Sequence, residues 1–391
     1  MSINSAFIYH PQTLNYKFNE HHPFNQKRLT LTMDLLKKAN ALNEKNMITP
    51  NLASEESIHD VHQTEFIEAV KNLSSPSPSK KALHQAEKFG LDKDDTPYFP
   101  NMHEVTSIVA GGSIEAGKQV MSGQYEHALH LGGGLHHAMP DRSAGFCVYN
   151  DAAIAIQYIR KHYDSKVLFI DTDVHHGDGV QWSFYADPEV FTFSIHETGK
   201  YLFPGTGYVN ERGEDSGFGY NLNLPMEPYT EDESWMSCFS ETLERIIKSF
   251  KPDVIVSVHG VDAHVYDPLS HIHCSMEIYL KMPQLIHKLA HEHCNGKWIA
   301  LGGGGYDIYR VVPRAWSLLW LVMTDHPLIR SIIEKPNFAL PEEWIHRWQN
   351  ESSKLLPNTW LDDKDKWKPM PRREQITKQN EKTKEMALTY C

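Results

Sequence analysis

The run Asp171-Thr172-Asp173-Val174-His175-His176-Gly177-Asp178 sets carboxylates and an imidazole two residues apart. Alternate side chains of an extended chain point the same way, so Asp171, Asp173 and His175 line one side. Carboxylate and imidazole together suit a borderline divalent metal. The alternative, an N-cap cluster opening a helix, needs one Asp such as Asp178, not three with two histidines. A catalytic zinc takes three protein ligands and leaves one position open. Asp262, in His259-Gly260-Val261-Asp262-Ala263-His264, is the candidate third ligand, and it reads equally well as a turn residue.

His136-His137 follows three glycines, Gly132 to Gly134. Two adjacent histidines do not easily both join a metal that already has three ligands. They suit acid–base work if Asp171 and Asp178 hold their far nitrogens; a structural pair in a loop is the alternative. Gly302-Gly303-Gly304-Gly305-Tyr306 lacks the Lys and Ser/Thr of a phosphate-binding loop. It is either an ordinary Gly-rich turn or a hinge that frees a Tyr hydroxyl to meet a reacting carbonyl. Most of the 24 histidines, His84, His103 and His287 among them, read as ordinary surface or satisfied side chains.

Something must hold these segments together. Apolar runs predict strands at 6–9, 126–131, 166–171, 190–196, 253–258 and 297–301. Helical spacing falls between them at 104–121, 151–162, 231–250 and 276–293. The runs VLFI, VIV and WIAL are nearly continuous, as in strands covered on both faces. The expected fold is α/β, a single three-layer domain with a mainly parallel central sheet flanked by helices. Five strands run straight into LGGGLHH, FIDTDVHHGDG, FSIHETG, VSVHGVDAH and ALGGGGY. In an open α/β sheet the crevice beyond the carboxyl ends of the strands binds the ligand. Residues 74–81 (SSPSPSKK) and the Gly-rich 205–220 read as loops. Residues 1–325 are expected to form the catalytic domain and 326–391 a helical, charged extension packed on it or trailing from it, loosely attached beyond about Pro357.

Composition narrows the function. The 391 residues carry 38 basic against 50 acidic side chains, a net charge of −12, which disfavours a direct grip on nucleic acid. No basic leader with an apolar run and no membrane-length apolar stretch is present in the sequence. Cys147, Cys238, Cys274, Cys294 and Cys391 are scattered and make no CxxC pair. A reduced, cytoplasmic protein without membrane attachment is expected; the oligomeric state is left open.

The segments GGGLHHA, GFCVYND, DTDVHHGDG, FPGTG, VDAHVYDP and GGGGY, in this order, resemble the histone deacetylase superfamily, which shares its fold with arginase. The likeness runs from about Phe7 to about Trp320. HPFNQKR, DDTP (94–97) and HETGKYLFPGTG are most like a bacterial branch concerned with acetoin use. Arginase's two-manganese DxHxD pattern is absent. The resemblance implies a zinc-dependent hydrolysis of N-acetyl amides, with one zinc per chain on Asp173, His175 and Asp262. It makes His137 the general base with Asp178, sets His136 beside it with Asp171, and gives Tyr306 the oxyanion. Gly145, Phe146 and Phe203 would shape a narrow channel, with Leu269 at its side and Asp95 at its rim. Arg28 would serve acetate exit. One structural potassium is implied at Asp171, Asp173, His175, Ser194 and Ile195, and a second near Phe184, Asp187, Val190 and Tyr220. The substrate would be an acetylated protein or a small acetylated amine such as an acetylpolyamine. A dead pocket that only binds acetyl-lysine would lack a ligand or Tyr306, and all are present. One departure is His259-Gly260-Val261, where relatives usually carry Asn or Gln, Gly and Ala.

Overall fold

Short apolar runs become eight parallel strands in the computed structural model, which describes residues 5–92 and 95–389. Asp94 of the DDTP segment and Cys391 lie outside the described residues. The strands are β1 (Ser5–Ile8), β2 (Met47–Ile48), β3 (His127–His130), β4 (Val167–Asp171), β5 (Val190–Glu197), β6 (Asn221–Met226), β7 (Val254–Val258) and β8 (Trp298–Leu301). They lie in the order β2-β1-β3-β8-β7-β4-β5-β6, every pairing parallel. The continuous apolar runs follow from burial on both faces. In β4, Leu168 and Ile170 enter one core, while Val167 and Phe169 enter the other. Helices Asp232–Phe250, Ile278–His293, Val312–Met323 and Lys27–Lys38 cover the first face. Met102–Met121 and Asp151–Tyr163 cover the second. This is the three-layer α/β fold expected.

Six strands and four helices fall within two residues of their expected positions. The strands β2 and β6 carry no clear sequence signal: β2 is two residues long, and β6 reads NLNLPM with a proline. Both are edge strands, where a proline costs no ladder bond on its open side. Within 74–81 the loop ends at Ser79, whose Oγ accepts from Ala82 N at 3.2 Å and caps the helix Lys80–Gln85. No helix among the described residues is long and apolar enough to cross a membrane.

The C-terminal tail is not loosely attached. Helix Arg373–Leu388 packs on helix Asp232–Phe250 and β6. Its buried stripe is Asn380, Thr383, Lys384, Ala387 and Leu388, at helical spacing but mostly polar, so apolar patterning misses it. Asn380 Nδ2 donates to Thr230 Oγ1 (2.8 Å) and Ser234 Oγ (2.9 Å), and its Oδ1 accepts from Glu227 N (2.9 Å). Upstream of that helix, Asp362 accepts from Arg314 Nη1 at 2.9 Å and from Met276 N at 2.7 Å, and lies 2.9 Å from His264 Nε2. Burial opposes the charge on Asp362, yet Arg314 and His264 hold it well below the usual carboxylate range. Arg314 is 0% exposed. Asp362→Ala therefore strands a buried guanidinium and is expected to cost about 3–5 kcal/mol. Urea unfolding of both forms at pH 7 measures this; an unchanged midpoint would remove the pair from the stability account.

Candidate active site

The carboxyl ends of β3, β8, β7, β4 and β5, which are adjacent in the sheet, carry the predicted residues into one place. Leaving β4, Asp173 and His175 turn toward Asp262, which follows β7. His175 Nδ1 lies 3.2 Å from Asp173 Oδ1 and 3.1 Å from Asp262 Oδ2. The three ligand atoms lie within 4.8 Å of one another, and all three residues are buried. The other carboxylate oxygens accept from backbone: Asp173 Oδ2 from Gly304 N (2.6 Å) and Asp262 Oδ1 from Val174 N (2.9 Å). Burial and the Asp173 charge push the Asp262 carboxyl up to about 6. Two buried carboxylates and an imidazole whose ligating atoms converge fit a divalent cation, which would relieve that repulsion.

The GGGG loop has a different reason from the one expected. A Cβ on Gly304 would sit 2.2 Å from Asp262 Oδ2, and one on Gly260 would sit 2.0 Å from Asp173 Oδ2. The glycines let backbone lie against the ligand carboxylates. Tyr306 is then fixed by its own N–H, which donates to Asp267 Oδ2 at 2.8 Å. Its ring stands edge-on to Phe146 (5.8 Å) and His175 (6.5 Å).

Beside the cluster, His136 Nδ1 is 2.6 Å from Asp171 Oδ2 and His137 Nδ1 is 2.7 Å from Asp178 Oδ1. The two Nε2 atoms are 3.0 Å apart. Burial lowers both rings, but the Asp171 and Asp173 charges outweigh it at His136 and hold it at about 9. His137 stays well below its ordinary value, because burial, His136 and His175 all act against its charge. The two rings are thus pushed in opposite directions, His136 toward the charged form and His137 toward the neutral one.

The approach is aromatic. Phe203, 45% exposed, stands edge-on to His137 at 5.0 Å, across from Phe146. A Cβ on Gly145 would lie 2.3 Å from the His137 ring and 2.9 Å from that of Phe203. Asp95 Oδ2 accepts from Gly145 N at 2.6 Å and so holds this turn. Leu269 is half-buried, its N–H donating to Asp267 Oδ1 at 3.0 Å.

Other predicted residues sit farther out. Arg28 lies behind the GGGG loop, donating to Gly303 O (2.8 Å) and Gly305 O (3.3 Å) between the rings of Phe24 and Trp316. Burial pushes it down to about 10. Ser194 pairs in register with Asp171, with Ile195 next along β5. Phe184, Asp187, Val190 and Tyr220 gather at the opposite end of β5, where Asp187 N donates to Phe184 O at 3.0 Å. His259 turns from the ligands toward Ser257 Oγ (2.8 Å), and burial pushes it down to about 3.

Sequence reasoning missed the residues that hold the loops. Asp151 accepts from Gly134 N (2.9 Å), Leu135 N (2.8 Å) and Ser113 Oγ (2.5 Å), and so sets the turn before His136. Asp267 does the same for Tyr306 and Leu269. Most of their partners are backbone N–H groups distant in sequence. Only their places inside GFCVYND and VDAHVYDP mark them.

A sequence model of the histone deacetylase domain matches residues 22–323. The chain is 49% identical to the acetoin utilization protein AcuC of Bacillus subtilis over 385 residues, covering 98% of this chain and 97% of that one. It is 43% identical to AcuC of Staphylococcus xylosus over 390 residues, covering 100% and 99%. The crystal structure of an HDAC homolog from Aquifex aeolicus superposes with a TM-score of 0.84 at 27% identity, covering 97% of this chain and 100% of that one. A structure of an HDAC homolog complexed with SAHA gives 0.82, with the same identity and coverage.

The cluster makes one demand that can be checked directly. Asp262→Ala is expected to lose the chelator-resistant divalent ion, measured by elemental analysis after dialysis. Retention at wild-type affinity would remove Asp262 from the ligand set.

Proposed function

The chain belongs to the histone deacetylase family, and from that footing we propose that this deacetylase is a zinc enzyme acting on acetyl-lysine in proteins. Asp173, His175 and Asp262 would hold one zinc per chain. The observation that carries the reading is the pair His136–His137, each ring held by its own aspartate and set beside a complete three-ligand cluster at the base of an aromatic approach. Bound there, zinc would supply Lewis acidity for the acyl carbonyl and acidify a water.

The chain's own groups do the rest. Neutral His137 accepts the proton of the attacking water while Asp178 holds its Nδ1–H, and the proton passes on to the leaving amine nitrogen. His136, kept cationic by Asp171, keeps the proton affinity of its neighbour low. Tyr306 donates its hydroxyl to the oxyanion. Gly145, Phe146, Phe203 and Leu269 admit a slender acyl-lysine arm and exclude bulk water, with Asp95 at the rim near the substrate backbone. Arg28 has a buried Nη2 without a partner among the described residues, which supports an acetate-handling role behind the GGGG loop. Potassium ions would sit at the two ends of β5. The name of the AcuC relatives supports a role in acetoin or acetate metabolism. The four described cysteines, all free and buried, support a cytoplasmic setting.

The test is turnover of acetyl-lysine peptides and of acetylspermidine, with and without a chelator. Peptide turnover is expected to exceed acetylspermidine turnover, to vanish with the chelator and to return with Zn2+. The reverse preference would move the substrate class to small acetylated amines, and insensitivity to chelation would sink the zinc assignment.

Tyr306→Phe removes one oxygen and keeps the ring, so fold and metal content should persist. The lost donor acts in the transition state, and kcat should fall by roughly 10²–10³, about 3–4 kcal/mol, with far less change in KM. A near-normal kcat would take the oxyanion role from Tyr306.

A further inference from the structure

At the other end of the sheet, away from the candidate active site, three imidazoles meet. His127 is the first residue of β3 and is fully buried. His287 and His291 lie four apart on helix Ile278–His293, hence on one face, and that face covers the start of β3 and β8. His287 Nε2 is 3.0 Å from His127 Nε2 and 3.1 Å from His291 Nε2. One nitrogen from each ring lies within 4.8 Å of the other two. His287 is therefore not the ordinary satisfied histidine that the sequence suggests.

Two tetrahedral nitrogen ligands at about 2.0–2.1 Å from zinc lie about 3.3 Å apart, so the observed contacts need only a slight opening to admit an ion. Two of the three rings are held below the ordinary histidine range, which favours their neutral, ligating form. Burial and the neighbouring His287 and His291 push His127 down to about 3, and burial also lowers His287. Asp325 Oδ1 stands 3.9 Å from His287 Nδ1, on the far side of the ring and beyond hydrogen-bond distance. The turn at Gly296 (φ 79°) is close to His291, since a Cβ there would sit 3.2 Å from its Cε1. His291 is exposed, which leaves a water-accessible fourth position.

We propose that His127, His287 and His291 form a second metal site, holding one borderline divalent cation of the zinc class through three imidazole nitrogens. The ion fastens helix Ile278–His293 to the amino end of the sheet, and its role is structural.

The test compares the metal-replete wild type with a His287→Gln/His291→Gln double variant, which leaves buried His127 and the active site untouched. With Zn2+ added to the micromolar range, calorimetry and elemental analysis should show one more equivalent on wild type than on the variant. Zn2+ should raise the wild-type Tm and leave the variant's unchanged, with deacetylase activity equal in both. Because the comparison is a difference, it does not depend on what fills the Asp173–His175–Asp262 cluster. Should the variant fail to fold, Cu2+ bound to replete wild type should show an EPR spectrum with three nitrogen ligands. Equal Zn2+ uptake by the two proteins, or a Cu2+ spectrum with fewer than three nitrogens, overturns the site.

Discussion

Asp171, Asp173, Asp178 and Asp262 are between 0% and 4% exposed, crowded at the carboxyl ends of two strands. Removing a carboxylate from water costs several kcal/mol unless partners replace its hydration. Much of the local architecture answers that demand. Backbone N–H groups of Asp173, Val174, His175 and Gly304 point at these oxygens, and three histidine rings supply the rest. The demand also explains why side chains are missing around them. At Gly260 and Gly304 a Cβ would stand in the position of a carboxylate oxygen, so only glycine brings the backbone donors close enough. A divalent cation is the natural complement of the two carboxylates that converge with His175.

The same field separates two chemically identical residues. His136 and His137 are adjacent and both buried, yet one faces two carboxylates and the other faces one carboxylate and two rings. A proton placed on His136 discourages a second one 3.0 Å away. Position within the charge distribution, rather than residue type, pushes the two rings apart in proton affinity.

Much of this was legible in the sequence because strand periodicity is strict. A parallel strand buried on both faces reads as an apolar run, and the polar residues after it must lie in the crevice; that logic placed His136, Asp173, Asp262 and Tyr306 together. It failed where the signal is not apolar. Asp151 and Asp267 act on backbone N–H groups, which no residue type betrays. The three-histidine cluster joins a strand start to a helix about 160 residues later, as the His127–His287 separation shows, and only the three-dimensional pairing of β3 with β8 brings them together. The helix Arg373–Leu388 buries Asn380 and Lys384 where a pattern search looks for leucine.

That last helix bears on how the site is held. The family match ends at residue 323, but the AcuC alignments cover nearly the whole chain, tail included. Asp362 reaches His264, two residues beyond Asp262, and also Met276 N and Arg314. The loop after β7 is thus clamped from behind by a segment outside the matched region, while Ser270 Oγ donates to Asp262 O at 2.6 Å from within it. A ligand carboxylate must hold its position to a fraction of an ångström, and a loop gains that precision only from supports whose own positions are fixed. Here the support is a half-buried, hydrogen-bonded aspartate on a tail that is itself pinned through Asn380. The charged composition that makes the C-terminus look peripheral is the means by which it grips the loop that carries Asp262.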